Sequence, residues 1–283
     1  MPVRLQIDER DHVARFVCGH QDQPAITGTA VFPLGIPASG NPGKFRNLRR
    51  EVTLLSMARV RALLLDFYGT LVREDTTVIQ AICREVSRNA PAASPGEVAR
   101  TWSSAFTALT AASYGPGFRL QRDLARVSLT DTVRYYHSEA DPGSLLEAQF
   151  AYWQRPQIHS GARELLATRL PACAVSNIDR ADLDAALAHH GLAGCFTHLV
   201  TSQDARAYKP RPEMFTTALG LLGLGPHEVI HVGDSLTSDV AGAARLGMPV
   251  AWVNRQRRPA PGAGPRPTYE VADLGELLAL LDG

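Results

Sequence analysis

The feature that most constrains this chain is a repeated unit: a short, unbroken apolar run that stops at a polar residue and gives way to a helical pattern. The clearest instance is Ala62-Leu63-Leu64-Leu65, which runs into Asp66-Phe67-Tyr68-Gly69-Thr70. Such a run, ending in a glycine-containing turn, predicts a strand covered on both faces. Similar runs recur at Ala172 to Val175, His198 to Val200, Val229 to Val232 and Pro249 to Val253, separated by helical patterns such as Arg180 to His190 and Glu213 to Leu222. Strands alternating with helices predict an α/β fold built on a doubly wound parallel sheet.

One interval breaks the alternation. From Glu74 to about Trp153 no strand-like run occurs, and helical periodicity dominates at Val78 to Val86, Glu97 to Ala111, Leu124 to Tyr136 and Leu145 to Trp153. Ligands of open α/β sheets bind beyond the carboxyl ends of the strands, so an insertion leaving directly after the first strand is expected to hang over that site as a cap. The expected organisation is a core of residues 57–73 and 155–283 with a helical cap of residues 74–154. Residues 1–56, rich in Pro, Gly and Arg between Phe32 and Arg50, show no sustained period and are expected to be a poorly ordered extension, with Met57 a candidate for the biological start. Arg257 to Arg266 reads as a Pro/Gly loop and Asp273 to Leu281 as a closing amphipathic helix.

The chain's 283 residues, 45% hydrophobic and 20% charged, suffice for a full core with one subdomain. A formal net charge of +1 gives no global field toward nucleic acid or an anionic membrane, so any anion must be recognised locally. The cysteines Cys18, Cys83, Cys173 and Cys195 lack the close spacing of a zinc or redox motif and are expected to be reduced thiols. No apolar run approaches the roughly eighteen residues that span a bilayer, and no signal-peptide pattern opens the chain, so a cytoplasmic location is expected. Nothing in the sequence speaks to oligomeric state.

Four polar stations are ordered along the chain: Asp66 with Thr70, Ser176 with Asn177, Lys209, and Asp234 with Asp239. A carboxylate after a strand is by itself often only a turn or helix cap. As an ordered set, however, the stations resemble the four motifs of the haloacid dehalogenase superfamily, in Asp66-Phe67-Tyr68-Gly69-Thr70-Leu71, Val175-Ser176-Asn177, Lys209-Pro210, and Gly233-Asp234-Ser235 with Asp239. The resemblance covers about Val60 to the C-terminus and extends to members with a helical cap after the first motif. It implies that Asp66 is a covalent nucleophile and that Mg²⁺ is held by Asp66, the Tyr68 carbonyl and Asp234. It also implies that Ser176 and Asn177 help bind substrate, that Lys209 pairs with nucleophile and substrate, that Asp239 orients Lys209 or a metal-bound water, and that Thr70 fixes the turn. Phosphoryl transfer needs such a nucleophile, cation and set of donors, and magnesium suits an oxygen-only site.

The implied activity is a magnesium-dependent phosphatase acting on a small soluble phosphate monoester. One departure weighs against it: superfamily phosphatases usually place a second aspartate two positions after the nucleophile, where this chain has Tyr68. Asp-x-Tyr-Gly-Thr resembles the first motif of 2-haloacid dehalogenases, which attack a carbon bearing halogen and need no metal. The Asp234/Asp239 pair, by contrast, resembles the phosphatase pattern. A missing general acid removes a contribution of roughly 10²- to 10⁴-fold, unless a cap residue such as Glu74, Asp75 or His137 replaces it. A catalytically silent protein retaining the fold is the third reading, opposed by the retention of Asp66, Lys209 and Asp234 together.

Several residues have plain readings. His189 and His190 are neighbours on one helix and do not share a face, so they are not expected to be a metal pair. His231 lies in a buried strand run and is expected to be a satisfied core histidine. The cap's Tyr114, Phe118, Arg119, Arg122, Arg126, Arg134, Tyr135 and Tyr136 suit either an anionic, ring-bearing substrate or a solvated helix face, and none is singled out as a contact. Tyr114-Gly115-Pro116-Gly117 is a candidate lid loop.

Overall fold

The structure is a computed structural model and describes residues 5–8, 13–16, 60–90, 93–260 and 263–281. The chain divides into two units, Met1–Phe45 and Arg46–Gly283. In the first, β1 (Leu5–Asp8) pairs antiparallel with β2 (Val13–Phe16), Leu5 opposite Phe16. No strand is legible there in the sequence, because Leu5–Asp8 and Val13–Phe16 are each interrupted by polar residues and carry no unbroken apolar run. The rest of the stretch expected to be poorly ordered, Met57 included, lies outside the described residues, as does Cys18.

The second unit is built on six parallel strands: β3 (Ala62–Leu65), β4 (Ala172–Ser176), β5 (His198–Thr201), β6 (Val229–Gly233), β7 (Val250–Val253) and β8 (Tyr269–Val271), in the order β5-β4-β3-β6-β7-β8. Every neighbouring pair is parallel, so the α/β, doubly wound expectation holds. The short β8 was not read from the sequence. The chain winds outward from β3 to β4 and β5, then crosses back to β6, so the strand order reverses around β3 and opens a crevice at its carboxyl end. Asp66 leaves the sheet at that point.

Strand residues alternate between faces. Leu63 and Leu65 join one apolar layer, whereas Ala62 and Leu64 join the other, with Met214, Phe215, Val240 and Ala243. The second layer is supplied largely by α8 (Glu213–Leu222) and α9 (Ala241–Arg245). On the first face lie α5 (Ala162–Leu166), α6 (Arg180–His190) and α10 (Leu274–Leu281); the short α7 (Ser202–Ala205) follows β5.

Four helices lie between β3 and α5: α1 (Thr76–Arg88), α2 (Pro95–Ala112), α3 (Gln121–Tyr135) and α4 (Pro142–Gln154). Two of their starts follow local chemistry. Ser94 and Glu97 form a reciprocal capping box with Pro95 in the first turn of α2, and the Asp141 carboxylate accepts from the Gly143 and Ser144 amides before α4. Ile82, Val86, Trp102, Leu129, Phe150 and Trp153 bury one continuous core with Phe67, Leu71 and Val72 of the loop after β3. Among the described residues no helix is long and apolar enough to cross a membrane, and Cys83, Cys173 and Cys195 are free thiols.

Candidate active site

The site grows from the carboxyl ends of the strands. The Asp66 amide continues the ladder by donating to the Val232 carbonyl at 2.9 Å. The chain then turns at Gly69, with φ at +89°; a Cβ there would stand 2.4 Å from Asp234 Oδ1. Only glycine accepts both the left-handed backbone and that contact. Arg255, two residues beyond β7, clamps the turn by donating to the Gly69 carbonyl at 2.6 Å and the Thr70 carbonyl at 2.7 Å.

Lys209 is the electrostatic centre. Its buried Nζ donates to Asp66 Oδ1 (2.7 Å), Asp239 Oδ1 (2.7 Å) and the Val175 carbonyl (2.8 Å), using all three ammonium donors. Asn177 fixes the backbone beneath it: Lys209 N donates to Asn177 Oδ1 (2.8 Å), and Asn177 Nδ2 to the Lys209 carbonyl (3.3 Å). Asp239 Oδ1 also meets His231 Nε2 at 2.9 Å, and its Oδ2 accepts from the Ser235 amide at 3.1 Å. Around that contact the chain runs through a π-turn, Leu236–Val240, before α9. Gly233 permits the approach, since a Cβ would lie 2.2 Å from Asp239 Cγ. His231 is thus more than a core histidine, because it ties Asp239 down from behind.

Burial sets these charges against one another. Burial pushes the Asp66 carboxyl up to about 6 although Lys209 opposes it. Asp239 is buried too, but Lys209 and His231 hold it well below the usual range, and the same acids keep Lys209 above its usual value despite desolvation. Asp234 fares differently: burial and the fields of Asp66, Asp239 and Glu74 push it up to about 8. Its carboxylate receives the Thr70 hydroxyl at 3.3 Å, and no cationic side chain forms an ion pair with it among the described residues. Carboxylate oxygens of Asp66, Asp234 and Asp239 lie within 4.8 Å of one another. One lysine therefore faces three acids, and Asp234 is the one left without a cationic partner among the described residues, so it holds its proton up to about pH 8 until a cation displaces it. No hydrogen bond between described residues ends on the Tyr68 main-chain carbonyl. A hard divalent cation fits this oxygen set.

The structure thus brings Asp66, Thr70, Asn177, Lys209, Asp234 and Asp239 together, with Ser176 buried at the end of β4, opposite Thr201. The Tyr68 side chain turns away: its hydroxyl donates to the Trp153 carbonyl. Asp75 accepts from Gln149 Nε2 (2.7 Å) and Trp153 Nε1 (2.9 Å), whereas His137 is exposed and lines neither cavity at the site. Glu74 lines both the cavity beside Tyr68 and the one holding Asp234.

Sequence reasoning missed several residues. Arg255 carried one weak signal, a basic residue just past a strand end. The carboxylate of Asp179 accepts from the Gln121 and Arg122 amides, and Asp182 receives the Arg122 guanidinium at 2.7 and 2.5 Å. Arg122 also lies over the Phe150 ring at 4.5 Å, so its role is to fasten α3 to α6. The candidate lid loop is pinned as well: the Gly115 amide donates to the Arg206 carbonyl at 2.9 Å, and Arg211 lies 3.7 Å from the Tyr114 ring centroid. His190 Nε2 meets the Pro156 carbonyl at 2.7 Å, in keeping with its plain reading.

The chain is 26% identical over 228 residues to an (S)-2-haloacid dehalogenase of Pseudomonas putida, a match covering 78% of this chain and 97% of the relative. It is 37% identical over 117 residues to a phosphoserine phosphatase of Thermus thermophilus, covering 41% of this chain and 44% of that protein. The L-2-haloacid dehalogenase of Xanthobacter autotrophicus shares the fold with a TM-score of 0.63 at 23% identity, over 79% of this chain and 99% of that one. The family model for haloacid dehalogenase-like hydrolases matches residues 60–247, and with the site assembled as above the chain belongs to that family of hydrolases.

Proposed function

We propose that the chain is a magnesium-dependent phosphatase that hydrolyses a small phosphate monoester through covalent attack by Asp66. The observation that carries this reading is the unbalanced carboxylate of Asp234 beside the nucleophile, with oxygens of three acids within 4.8 Å and one lysine to offset them. Asp66, Asp234 and the Tyr68 carbonyl would hold Mg²⁺, which when bound supplies positive charge to the phosphoryl oxygens.

The remaining chemistry belongs to the chain. Lys209 keeps Asp66 ionised and oriented, with Asp239, Asn177 and His231 holding Lys209 in place. Ser176 donates to a phosphoryl oxygen. The Asp66 carboxylate attacks phosphorus, the bond to the leaving oxygen breaks, and that oxygen takes a proton. Tyr68 is a poor source, because burial pushes its phenol far above the ordinary range and its hydroxyl is committed to Trp153. Asp75 is occupied by two donors. Glu74 suits the role: burial and Asp75 raise its carboxyl, and it lines both cavities. Water then attacks the aspartyl-phosphate, the Glu74 carboxylate accepts its proton, and phosphate leaves with Asp66 restored.

A second reading, a metal-independent 2-haloacid dehalogenase, is favoured by Tyr68 in the first motif and by the dehalogenases among the relatives. A haloacid's carboxylate calls for a cation, yet no Arg, Lys or His lines the cavity beside Tyr68. Hydrolysis of p-nitrophenyl phosphate and of 2-chloropropionate, each with Mg²⁺ and with EDTA, separates the two. Phosphate release that EDTA abolishes and Mg²⁺ restores is expected; chloride release indifferent to EDTA would replace the phosphatase reading with the other.

A further inference from the structure

The cavity that adjoins the catalytic cluster has a volume of about 230 Å³ and lies between the loops after β3 and β4 and helices α1 to α4. Tyr68, two residues from Asp66, and Asn177, which holds the Lys209 backbone, both line it. Its walls are apolar and aromatic, with Ile79, Trp102, Phe106 and Trp153 prominent. Its charged lining residues are Glu74 and Asp75, and among the described residues no cationic side chain joins them.

The polar groups are equally one-sided. The Trp153 and Gln149 donors are spent on Asp75, Trp102 Nε1 donates to Ser128 Oγ at 3.0 Å, and the Tyr68 hydroxyl is spent on Trp153. Beyond the Ser103 hydroxyl and the Gln121 amide, what remains is acceptors. Gln149 is 5% exposed, and its Oε1 has no hydrogen-bond partner among the described residues. A buried carbonyl without a donor is costly, and native structures rarely keep one without a use. A wall of aromatic faces, two carboxylates and an unpaired amide oxygen complements a cation with N–H donors and repels an anion.

Resting on the phosphatase reading, we propose that this cavity receives the leaving alcohol of the substrate and selects a compact aromatic or apolar body bearing a protonated amine. An ammonium N–H donates to Gln149 Oε1, Asp75 balances the charge, and Trp102, Phe106 and Trp153 enclose the body. Leaving groups carrying a carboxylate or a second phosphate are rejected. The Arg122 and Arg126 guanidiniums, over the Phe150 ring, are not among the lining groups and do not offset that selection.

The test uses the full chain with Mg²⁺ and three matched esters: tyramine phosphate, para-ethylphenyl phosphate, and the phosphate ester of para-hydroxyphenylacetate. The expected order of kcat/KM is amine, then neutral, then carboxylate, with the first at least about tenfold above the second, the size of one hydrogen bond to a charged group. Gln149→Leu should cut the ratio of amine to neutral ester about tenfold. Tyramine itself should quench tryptophan fluorescence where para-hydroxyphenylacetate does not, a readout independent of turnover. If no ester is hydrolysed but tyramine still binds in a Gln149-dependent way, the phosphatase reading fails and the cavity assignment stands. Turnover of p-nitrophenyl phosphate without discrimination among the three esters, or equal binding of the two alcohols, overturns the assignment.

Discussion

On the proposed phosphatase reading, Tyr68 in place of the usual second aspartate leaves Glu74 as the candidate source of the leaving-group proton. Two residues on from Asp66, the phenol docks on the Trp153 carbonyl, so the side chain serves packing while its main-chain carbonyl stays free for a cation. If Glu74 is the proton donor, its effect depends on the leaving group. Glu74→Gln should lower kcat by roughly 10²-fold or more for an alkyl phosphate, whose alkoxide must be protonated as it departs. For p-nitrophenyl phosphate, whose phenolate leaves readily, the same variant should lose much less. The check is a plot of log kcat/KM against leaving-group acidity: a steeper slope in the variant supports the role, and parallel lines for the two proteins refute it. Asp75→Asn should give no such steepening, because its carboxylate is held by Gln149 and Trp153.

At the scale of elements, the seam between α3 and α6 is held by buried charge. Asp179 caps the first amides of α3, and Asp182, with no exposed side-chain surface, takes the Arg122 guanidinium while Gln154 Nε2 of α4 reaches the same carboxylate at 3.1 Å. Removing one partner of a buried pair strands the other, at a cost of about 3–5 kcal/mol when both are fully desolvated. Arg122 keeps 28% of its side chain exposed, so Asp182→Ala should cost less, about 2–3 kcal/mol by urea unfolding. Arg122→Met combined with Asp182→Leu should recover part of that loss. A single-variant cost below about 0.5 kcal/mol would show the clamp to be idle, like many exposed pairs. None of this seam was legible in the sequence, since its partners lie 57 to 60 residues apart and look like ordinary helix charges. What was legible followed local rules: the strands at Ala62, Ala172 and Val229 from unbroken apolar runs, and the helix Arg180–His190 from its period. The acids beyond those strands could be read as a set because a parallel sheet delivers them all to one edge. The π-turn at Leu236–Val240 could not, because its Asp239 is held by tertiary bonds. β8 escaped notice because three residues carry too little pattern.

Across the whole molecule, the charge left over at the sheet edge connects stability to function. The fold places Asp66, Asp234 and Asp239 within reach of one another and supplies Lys209 to two of them. Without a cation, Asp234 is held near like charges in a largely desolvated place, a cost borne by the folded state alone. A ligand that binds the folded state raises stability by RT ln(1 + [L]/Kd), about 2.7 kcal/mol at a hundredfold excess over Kd. In a protein of this size that corresponds to a rise in Tm of roughly 5–10 °C. Saturating Mg²⁺ should therefore raise the melting temperature relative to EDTA by about that much. Asp234→Asn keeps the shape and the contact with Thr70 while removing the charge. Its predicted effect has opposite signs in the two conditions: in EDTA the variant should melt above the wild-type protein, and in Mg²⁺ below it, with the magnesium-dependent shift nearly gone. A variant that melts lower in EDTA as well would mean that the Asp234 carboxylate stabilises the fold without a metal, and the argument from its unbalanced charge would fall.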